Sequence, residues 1–415
     1  MRVGIQGWGS EGDLRPLVAL AARLKRDGHA PHLVLTSIDG TDYTRLCDTL
    51  GVPLTVTPRE LAVSLPSLAK EGTSSDPSKL SRALLDQAFF PYLEEMYAAA
   101  VQLCERSDVV VGHLSCWYVK AAALVTDTPF VSLHYHPGLV PSRHQPPPGL
   151  PPWGWLNRPG WALLRAVLDL AFRKPAAAFF ASKGLPRIRH ALPDLLFSDQ
   201  LNLFAASPVL CPPPRDLAPI HAICGAFSME AEVTQWEPSA DLRAFLDGGD
   251  KPVLLSLGTM EHLAPTQARE LLIASAREAK VRAVIQTKRG APEGQDGNLY
   301  FLPWAPHDRL LPLLSAVVHH GGAGTSHAVL RAGLPAVILP FIFEQAMWAN
   351  QVHRVGAAAK PLSFWKAKPM HVAARIRQTL ELEGLRQHAR TLGAAMAMED
   401  GTGVAVARLL SAFPE

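Results

Sequence analysis

The chain has 415 residues, 48% of them apolar, and a formal net charge of +3. That length exceeds what one core usually organises, so two domains are expected. The charge is too small and too evenly spread for a nucleic-acid partner. Five cysteines with no CxxC pair indicate buried free thiols in a reducing, cytoplasmic setting.

Arg2–Gln6 reads as a strand at once, which leaves no room for a secretory leader. Leu14–Asp27 has helical spacing, His32–Thr36 has strand spacing, and Val52–Thr57 suits a third strand. Leu80–Cys104 is a long helical stretch broken at Pro91. DVVVG (Asp108–Gly112) is a continuous apolar strand, followed by a helix near Trp117–Thr126 and the strand Phe130–His134. Apolar runs separated by amphipathic helices imply a parallel sheet covered on both faces. Residues 137–160 hold eight prolines, which disfavour helix and ladder pairing. An irregular loop carrying Trp153 and Trp155 is expected there. The stretch WALLRAVLDLAFRKPAAAFFA (161–181) carries Arg165, Asp169, Arg173 and Lys174, whereas a spanning helix needs roughly 20 nearly uncharged residues. Peripheral contact with a bilayer surface is one use of such a basic helix. The commoner use is a packed helix with a solvated face, and that is the expectation taken.

Helical spacing continues to 192, then comes 201–210, and the proline cluster 211–216 lies near the exit from a first domain, 1–225. A linker is placed at 226–250. The pattern then restarts: strand Pro252–Leu257, helix Pro265–Glu278, strands Arg282–Gln286, Leu299–Leu302 and Ala316–His319, a glycine turn, helix Ser326–Ala332 and strand Ala336–Pro340. This is a second doubly wound α/β domain, 251–395. The helical residues 396–415 are expected to pack back on the first.

Gly7, Gly9 and Gly12 spell GxGxxG, a dinucleotide fingerprint. An NAD site wants an acidic residue at the end of the second strand to hold the ribose. Here that strand ends LVLTS, with Asp39 only beyond it. Asp13, directly after the third glycine, puts negative charge at a helix start, which suits the helix dipole and opposes a phosphate. The glycines are therefore expected to hold open a cleft that displays the Asp13 carboxylate; the plainer alternative is a helix N-terminal residue. Phosphates are expected instead at HHGGAGTSH (319–327), after a buried strand and opening a helix. Gly321, Gly322 and Gly324 permit close backbone approach, the helix start offers free amides, Thr325 and Ser326 add hydroxyls, and a histidine there can donate to phosphate.

HHGGAGTSHAVLRAGLPAVILPFIFEQAMWANQVHRVG (319–356) resembles the nucleotide-sugar signature of the GT-B glycosyltransferases. That family includes plant UDP-sugar enzymes, macrolide and glycopeptide glycosyltransferases, and sterol glucosyltransferases. GSEGDLRPLVALAARLKRDGH (9–29) resembles their N-terminal opening. DVVVGHLSCW and FLDGGDKPVLLSLGTMEHL are similar to the bacterial rhamnosyltransferase chain that builds rhamnolipids. The resemblance implies two Rossmann-like doubly wound domains facing across a cleft, the first for acceptor and the second for nucleotide sugar. It implies inverting transfer from a UDP- or dTDP-linked sugar to a hydroxyl. His320 matches the family's α-phosphate contact, and Gly324 and Thr325, after Gly322, its β-phosphate contacts. Thr259 matches a second phosphate-side position. Trp304 matches the aromatic that stacks on the base, with the Ala305 backbone beside it, and His307 stands where Gln is frequent. Glu344 and Gln345 match an Asp-Gln pair that holds sugar hydroxyls. Two positions depart: Glu replaces Asp at 344, and the family's ribose-holding Glu falls at Ala328.

The sequence has no DxD motif, so no metal is required and no cofactor beyond the nucleotide-sugar co-substrate is expected. His320, the helix dipole and hydroxyl donors would neutralise the leaving diphosphate. Many relatives carry His at position 13 and an Asp partner after the DVVV-type strand; here the positions hold Asp13 and His113. The two are expected within hydrogen-bond reach. Either Asp13 takes the acceptor proton, or His113 does so with Asp13 fixing its tautomer. Ser10, His134, His136 and Trp153 are expected to line the acceptor site. Apolar surface from Leu61–Leu68, Phe89–Phe90, the Trp153/Trp155 loop and 161–181 favours a hydrophobic small-molecule acceptor: a macrolide, polyketide, sterol or hydroxy-fatty-acyl lipid. Rhamnosyl transfer to such a lipid, a catalytically silent partner of another transferase, and an NAD-linked oxidoreductase are the alternatives. The sequence sets no oligomeric state.

Overall fold

The strand β1 (Arg2–Gly9) is buried along seven of its eight residues and organises the first half of the chain. The computed structural model describes residues 1–58, 61, 82–148, 150–151, 153–229, 236–287 and 293–414. They divide into two compact units: Met1–Ser64 with Leu85–Met229 and Asp400–Glu415, and Glu230–Glu399 with Leu65–Leu84.

In the first unit, β1 is joined by β2 (Ala30–Ser37), β3 (Leu54–Val56), β4 (Val109–His113), β5 (Phe130–His134), β6 (Leu201–Phe204) and β7 (His221–Ile223). All pair in parallel, in the order β3-β2-β1-β4-β5-β6-β7. The sequence placed β1 to β5, because strands such as β4 and β5 are buried at every position and a strand covered on both faces is predominantly apolar; β6 and β7 it did not place. The helix Glu11–Arg26 lies close against β1: a Cβ on Gly7 would collide with Leu17. Acidic Glu11 and Asp13 stand in its first turn and Arg23, Lys25 and Arg26 in its last, matching the helix dipole at both ends. Arg23 binds Asp27 and, at 2.6 Å, Asp400, the N-cap of the C-terminal helix Gly401–Ala412, which packs on Glu11–Arg26.

The second unit holds β8 (Val253–Ser256), β9 (Ala283–Gln286), β10 (Gly294–Asp296), β11 (Leu299–Leu302), β12 (Ala316–His319) and β13 (Ala336–Ile338). Their order is β10-β11-β9-β8-β12-β13, parallel except for the short β10–β11 pair. Part of the expected linker is a helix, Ala240–Asp247. Ser239 caps it by accepting from the Leu242 amide, and it buries Leu242, Phe245 and Leu246. The helix after the glycine turn starts at Ala323, three residues earlier than its apolar periodicity suggested, because Gly322 is its N-cap. All five cysteines are buried and free. No helix among the described residues is long and apolar enough to cross a membrane.

Candidate active site

In each sheet the strand order reverses beside its first strand, between β1 and β4 and between β8 and β12. Crevices open at the C-terminal ends of strands at such points. The first crevice is flanked by the turn after β1, carrying Ser10 and Asp13, and by His113, the last residue of β4.

Asp13 does two things there. Its Oδ2 accepts from the Ser10 amide at 2.8 Å and the Ser10 hydroxyl at 3.0 Å, tying the helix start to itself. A Cβ on Gly9, whose φ is +151°, would collide with this carboxylate, so the second glycine of the fingerprint exists for Asp13. Asp39 completes the local answer: its Oδ2 accepts from the Glu11 amide at 2.8 Å, and Ser37 Oγ donates to its Oδ1 at 2.9 Å. Amides that a dinucleotide site would offer to pyrophosphate are thus occupied by two carboxylates. Ser10, expected at the acceptor, spends its hydroxyl on Asp13.

His113 makes no hydrogen bond to Asp13, contrary to the expected dyad. Its Nδ1 lies 2.8 Å from Ser115 Oγ, and that hydroxyl donates to the Trp8 carbonyl at 3.2 Å. A hydroxyl with its one proton spent must accept from Nδ1–H, which leaves the imidazole lone pair on Nε2. Ser115, not Asp13, therefore fixes the tautomer. Burial lowers the His113 pKa, while the nearby Asp13 carboxylate pushes it back up; the net shift is down.

The sequence reading missed Tyr135. Its hydroxyl donates to the Asp13 carbonyl, and its ring stacks on His113 with centroids 4.7 Å apart. Side chains alternate across a strand, so His134 points the other way. It is fully buried against Phe197 and Phe204, with Nε2 on Ser132 Oγ at 2.7 Å. Its acceptor-site assignment is corrected to core. His136 accepts from the Gly138 amide through Nδ1 and caps a short turn. Phe89 is likewise core, packed on Trp8, Trp117 and Tyr118. Trp153 is exposed and stacks on Trp155. Leu61–Leu68 falls outside the described residues except for Leu61.

The second crevice is flanked by the turns after β8 and β12. A Cβ on Gly322 would collide with the His320 imidazole, and one on Gly258 would stand 3.1 Å from it, so the ring lies across both glycines. Burial and, secondarily, His307 push the His320 pKa down to about 4, and its buried Nδ1 has no hydrogen-bond partner. The first helical bond of Ala323–Arg331 is from the Ser326 amide to the Gly322 carbonyl at 2.9 Å, which leaves the amides of 323–325 without an intrahelical acceptor. Space beside Gly324 is open, Thr325 is half-buried and Thr259 is buried in the turn Gly258–Leu263. The Ser326 hydroxyl is buried and, like His320 Nδ1, has no hydrogen-bond partner among the described residues.

Trp304 is 44% exposed in the loop after β11, which no core tryptophan would be. Ala305 beside it is buried, its carbonyl accepting from Gln286 Nε2 on β9 at 3.5 Å. His307 opens the short helix His307–Leu310. Gln345 is buried and its Oε1 accepts from the Phe341 amide at 2.8 Å, which leaves its amide protons for a sugar; Glu344 is exposed. If Trp304 is a base platform, Trp304→Ala weakens nucleotide binding about 10–100-fold, the worth of base–aromatic stacking, and leaves the thermal midpoint unchanged. Titration calorimetry with dTDP or UDP checks this.

Residues 281–412 match the family model of the erythromycin biosynthesis protein CIII-like C-terminal domain. The O-mycaminosyltylonolide 6-deoxyallosyltransferase of Streptomyces fradiae is 29% identical over 97% of this chain and 95% of its own length. Glycosyltransferase GtfE of Amycolatopsis orientalis is 31% identical over 86% of this chain and 85% of its own. The crystal structure of the glycosyltransferase VinC in complex with dTDP superposes with a TM-score of 0.65 over 99% of both chains at 19% identity, a likeness of fold. Two Rossmann-like sheets with these relatives place the chain in one family: it belongs to the GT-B glycosyltransferases that include GtfE, and it is a glycosyltransferase.

Proposed function

We propose that the chain moves a sugar from a dTDP- or UDP-linked donor to a hydroxyl of a hydrophobic small molecule, with inversion and without a metal ion. The observation that carries this reading is the set of unsatisfied donors at the second crevice: the amides of 323–325 beside a buried, neutral His320. Such a set suits a dianion, and among the described residues no acceptor is paired with it. The relative named for transfer of 6-deoxyallose to O-mycaminosyltylonolide and the dTDP-bound structural neighbour support a natural-product acceptor and a thymidine donor.

Asp13 is the better base. It is half-exposed and both of its hydrogen bonds fall on Oδ2, whereas His113 is buried beneath Tyr135. The acceptor proton passes to Asp13 Oδ1 as the acceptor oxygen attacks the anomeric carbon on the face opposite the diphosphate. The bond from that carbon to the diphosphate oxygen breaks, and its electron pair leaves with the nucleotide. One displacement inverts the anomeric centre. Diphosphate charge beside His320 favours the protonated ring, which strengthens its hydrogen bond as the leaving group departs.

A thermal-shift panel tests the donor half. At 100 times its dissociation constant a ligand adds about 2.7 kcal/mol, so dTDP or UDP raises the midpoint and NAD does not. Activity unchanged by EDTA and an inverted product anomer by NMR are the further expectations. A shift with NAD alone, or turnover abolished by EDTA and restored by a divalent ion, would contradict the reading.

A further inference from the structure

Residues 142–190 carry eight Lys and Arg side chains and one acidic residue, a net charge of +7 in a chain whose total is +3. The charge that looks evenly spread is concentrated here, and the remainder of the chain is net negative. The one acid, Asp169, is committed to His190 Nδ1 at 2.9 Å and to the Ala191 amide at 2.6 Å. Lys183 is paired with Glu94 of the neighbouring helix Leu93–Glu105 at 2.7 Å. Arg158, Arg165, Arg173 and Lys174 are exposed.

The same segment exposes its apolar side. The helix Asn157–Leu168 buries Gly160 and Trp161 but turns Leu163 and Val167 outward, 63% and 53% exposed. Leu170, in the π-helical turn Asp169–Arg173 that follows, is 87% exposed. Positions 163, 167 and 170 follow the i, i+4, i+7 spacing of one helix face. Just before the helix, Trp153 and Trp155 stack 6.3 Å apart, Trp155 being 74% exposed. The packed helix expected from the sequence would have hidden these residues. What is exposed is an aliphatic stripe with tryptophans before it and the cations Arg173 and Lys174 after it, while Arg158 and Arg165 fall on the other side of the helix.

Water does not favour that surface, and a protein partner would have to supply a matching acidic rim. The lipid–water interface meets each part at once: acyl chains for the leucines, the headgroup layer for the tryptophans, and anionic phosphates for long basic side chains that reach outward. We propose that the face formed by Leu163, Val167 and Leu170, with the exposed cations Arg173 and Lys174 following it, docks the chain on an anionic bilayer surface. The inference is independent of which sugar or acceptor the enzyme uses.

The test is flotation of the full chain with phosphatidylcholine vesicles with and without phosphatidylglycerol at low salt. Binding is expected only with the anionic lipid, and added salt releases it. Each basic residue contributes about fivefold in partitioning, so the double Arg173→Gln, Lys174→Gln variant should lose about 25-fold, the product of two such factors. The triple Leu163→Gln, Val167→Gln, Leu170→Gln variant should lose at least ~10-fold with its circular dichroism and thermal midpoint retained. Failure to float with either vesicle, or variants that float like the wild type, overturns the proposal. So does a concentration-dependent dimer in sedimentation velocity that the triple variant dissolves, because the face then belongs to a second copy of the chain.

Discussion

Replacing Asp13 by Asn is expected to lower kcat by about 10²–10⁴-fold, roughly 3–5 kcal/mol of barrier, with little change in thermal midpoint. The carboxylate both anchors the Ser10 amide and, in the proposed reaction, receives the acceptor proton. Asn keeps an oxygen for the amide and has no basicity to offer. Asp13→Ala removes both, and should add a stability loss of about 1 kcal/mol, the usual worth of a helix cap. Neither change should alter the thermal shift produced by dTDP or UDP, because the proposed donor contacts lie in the other unit. His113→Gln is the companion measurement. Its Nδ1 is held by Ser115 with the lone pair on Nε2. Wild-type turnover in Asp13→Asn together with an inactive His113→Gln would move the base to His113 and reduce Asp13 to a cap.

Acid should unfold this protein through its histidines before its carboxylates. His327 is buried, bonded through Nδ1 to the Ala323 carbonyl at 2.7 Å and packed edge-on against Trp348, and burial pushes its pKa down to about 4. In the unfolded chain a histidine titrates near 6.5. Between those values the unfolded state binds the proton and the native state does not, so unfolding free energy rises with pH across the interval. Stability is therefore full above pH ~6.5 and is lost as pH falls towards ~4, by about 3 kcal/mol for His327 alone at ~1.4 per unit. His113, His134, His319 and His320 shift in the same direction, chiefly through burial. Lowered carboxylates such as Asp108, Asp216 and Asp400 contribute only below their own unfolded value near 4. Urea titrations at pH 7.5, 6, 5 and 4 on the pH-control axis should show the loss over the upper interval, and His327→Gln should flatten part of it. A constant unfolding free energy from pH 7 to 4.5 would show that these rings take up protons in the folded state as readily as in the unfolded one.

Ten of the thirteen strands among the described residues and the glycine turn after β12 could be read directly from the chain; β6, β7 and β10 could not. Runs such as VVVGH and AVVH are buried at every position and apolar up to their terminal histidine because helices cover both faces, and glycines followed by Thr325 state a backbone that must come close to something. Side-chain phase at strand ends could not be read. SLHYHPG offers two histidines as candidate ligands, yet the tyrosine between them reaches the crevice and His134 enters the core. Composition does not say which face a terminal residue takes; register with the neighbouring strand does, and β5 pairs with β4 as Leu133 with His113. Asp39 was set aside as lying too far beyond its strand, although distance along the chain is no measure of reach to the Glu11 amide. Residues 161–181 looked packed because amphipathicity fixes that one side differs from the other, and not which side meets protein.

Asp13 and Asp39 at the opening of the first helix also have a consequence for ligand stoichiometry. A polypeptide with two Rossmann-like sheets has, in principle, two seats for a nucleotide. Here the earlier seat is filled by the chain's own anions, and only the later one keeps its donors free. Each polypeptide should then hold a single nucleotide, and spent dTDP or UDP should compete with the sugar donor alone, never with the alcohol it serves.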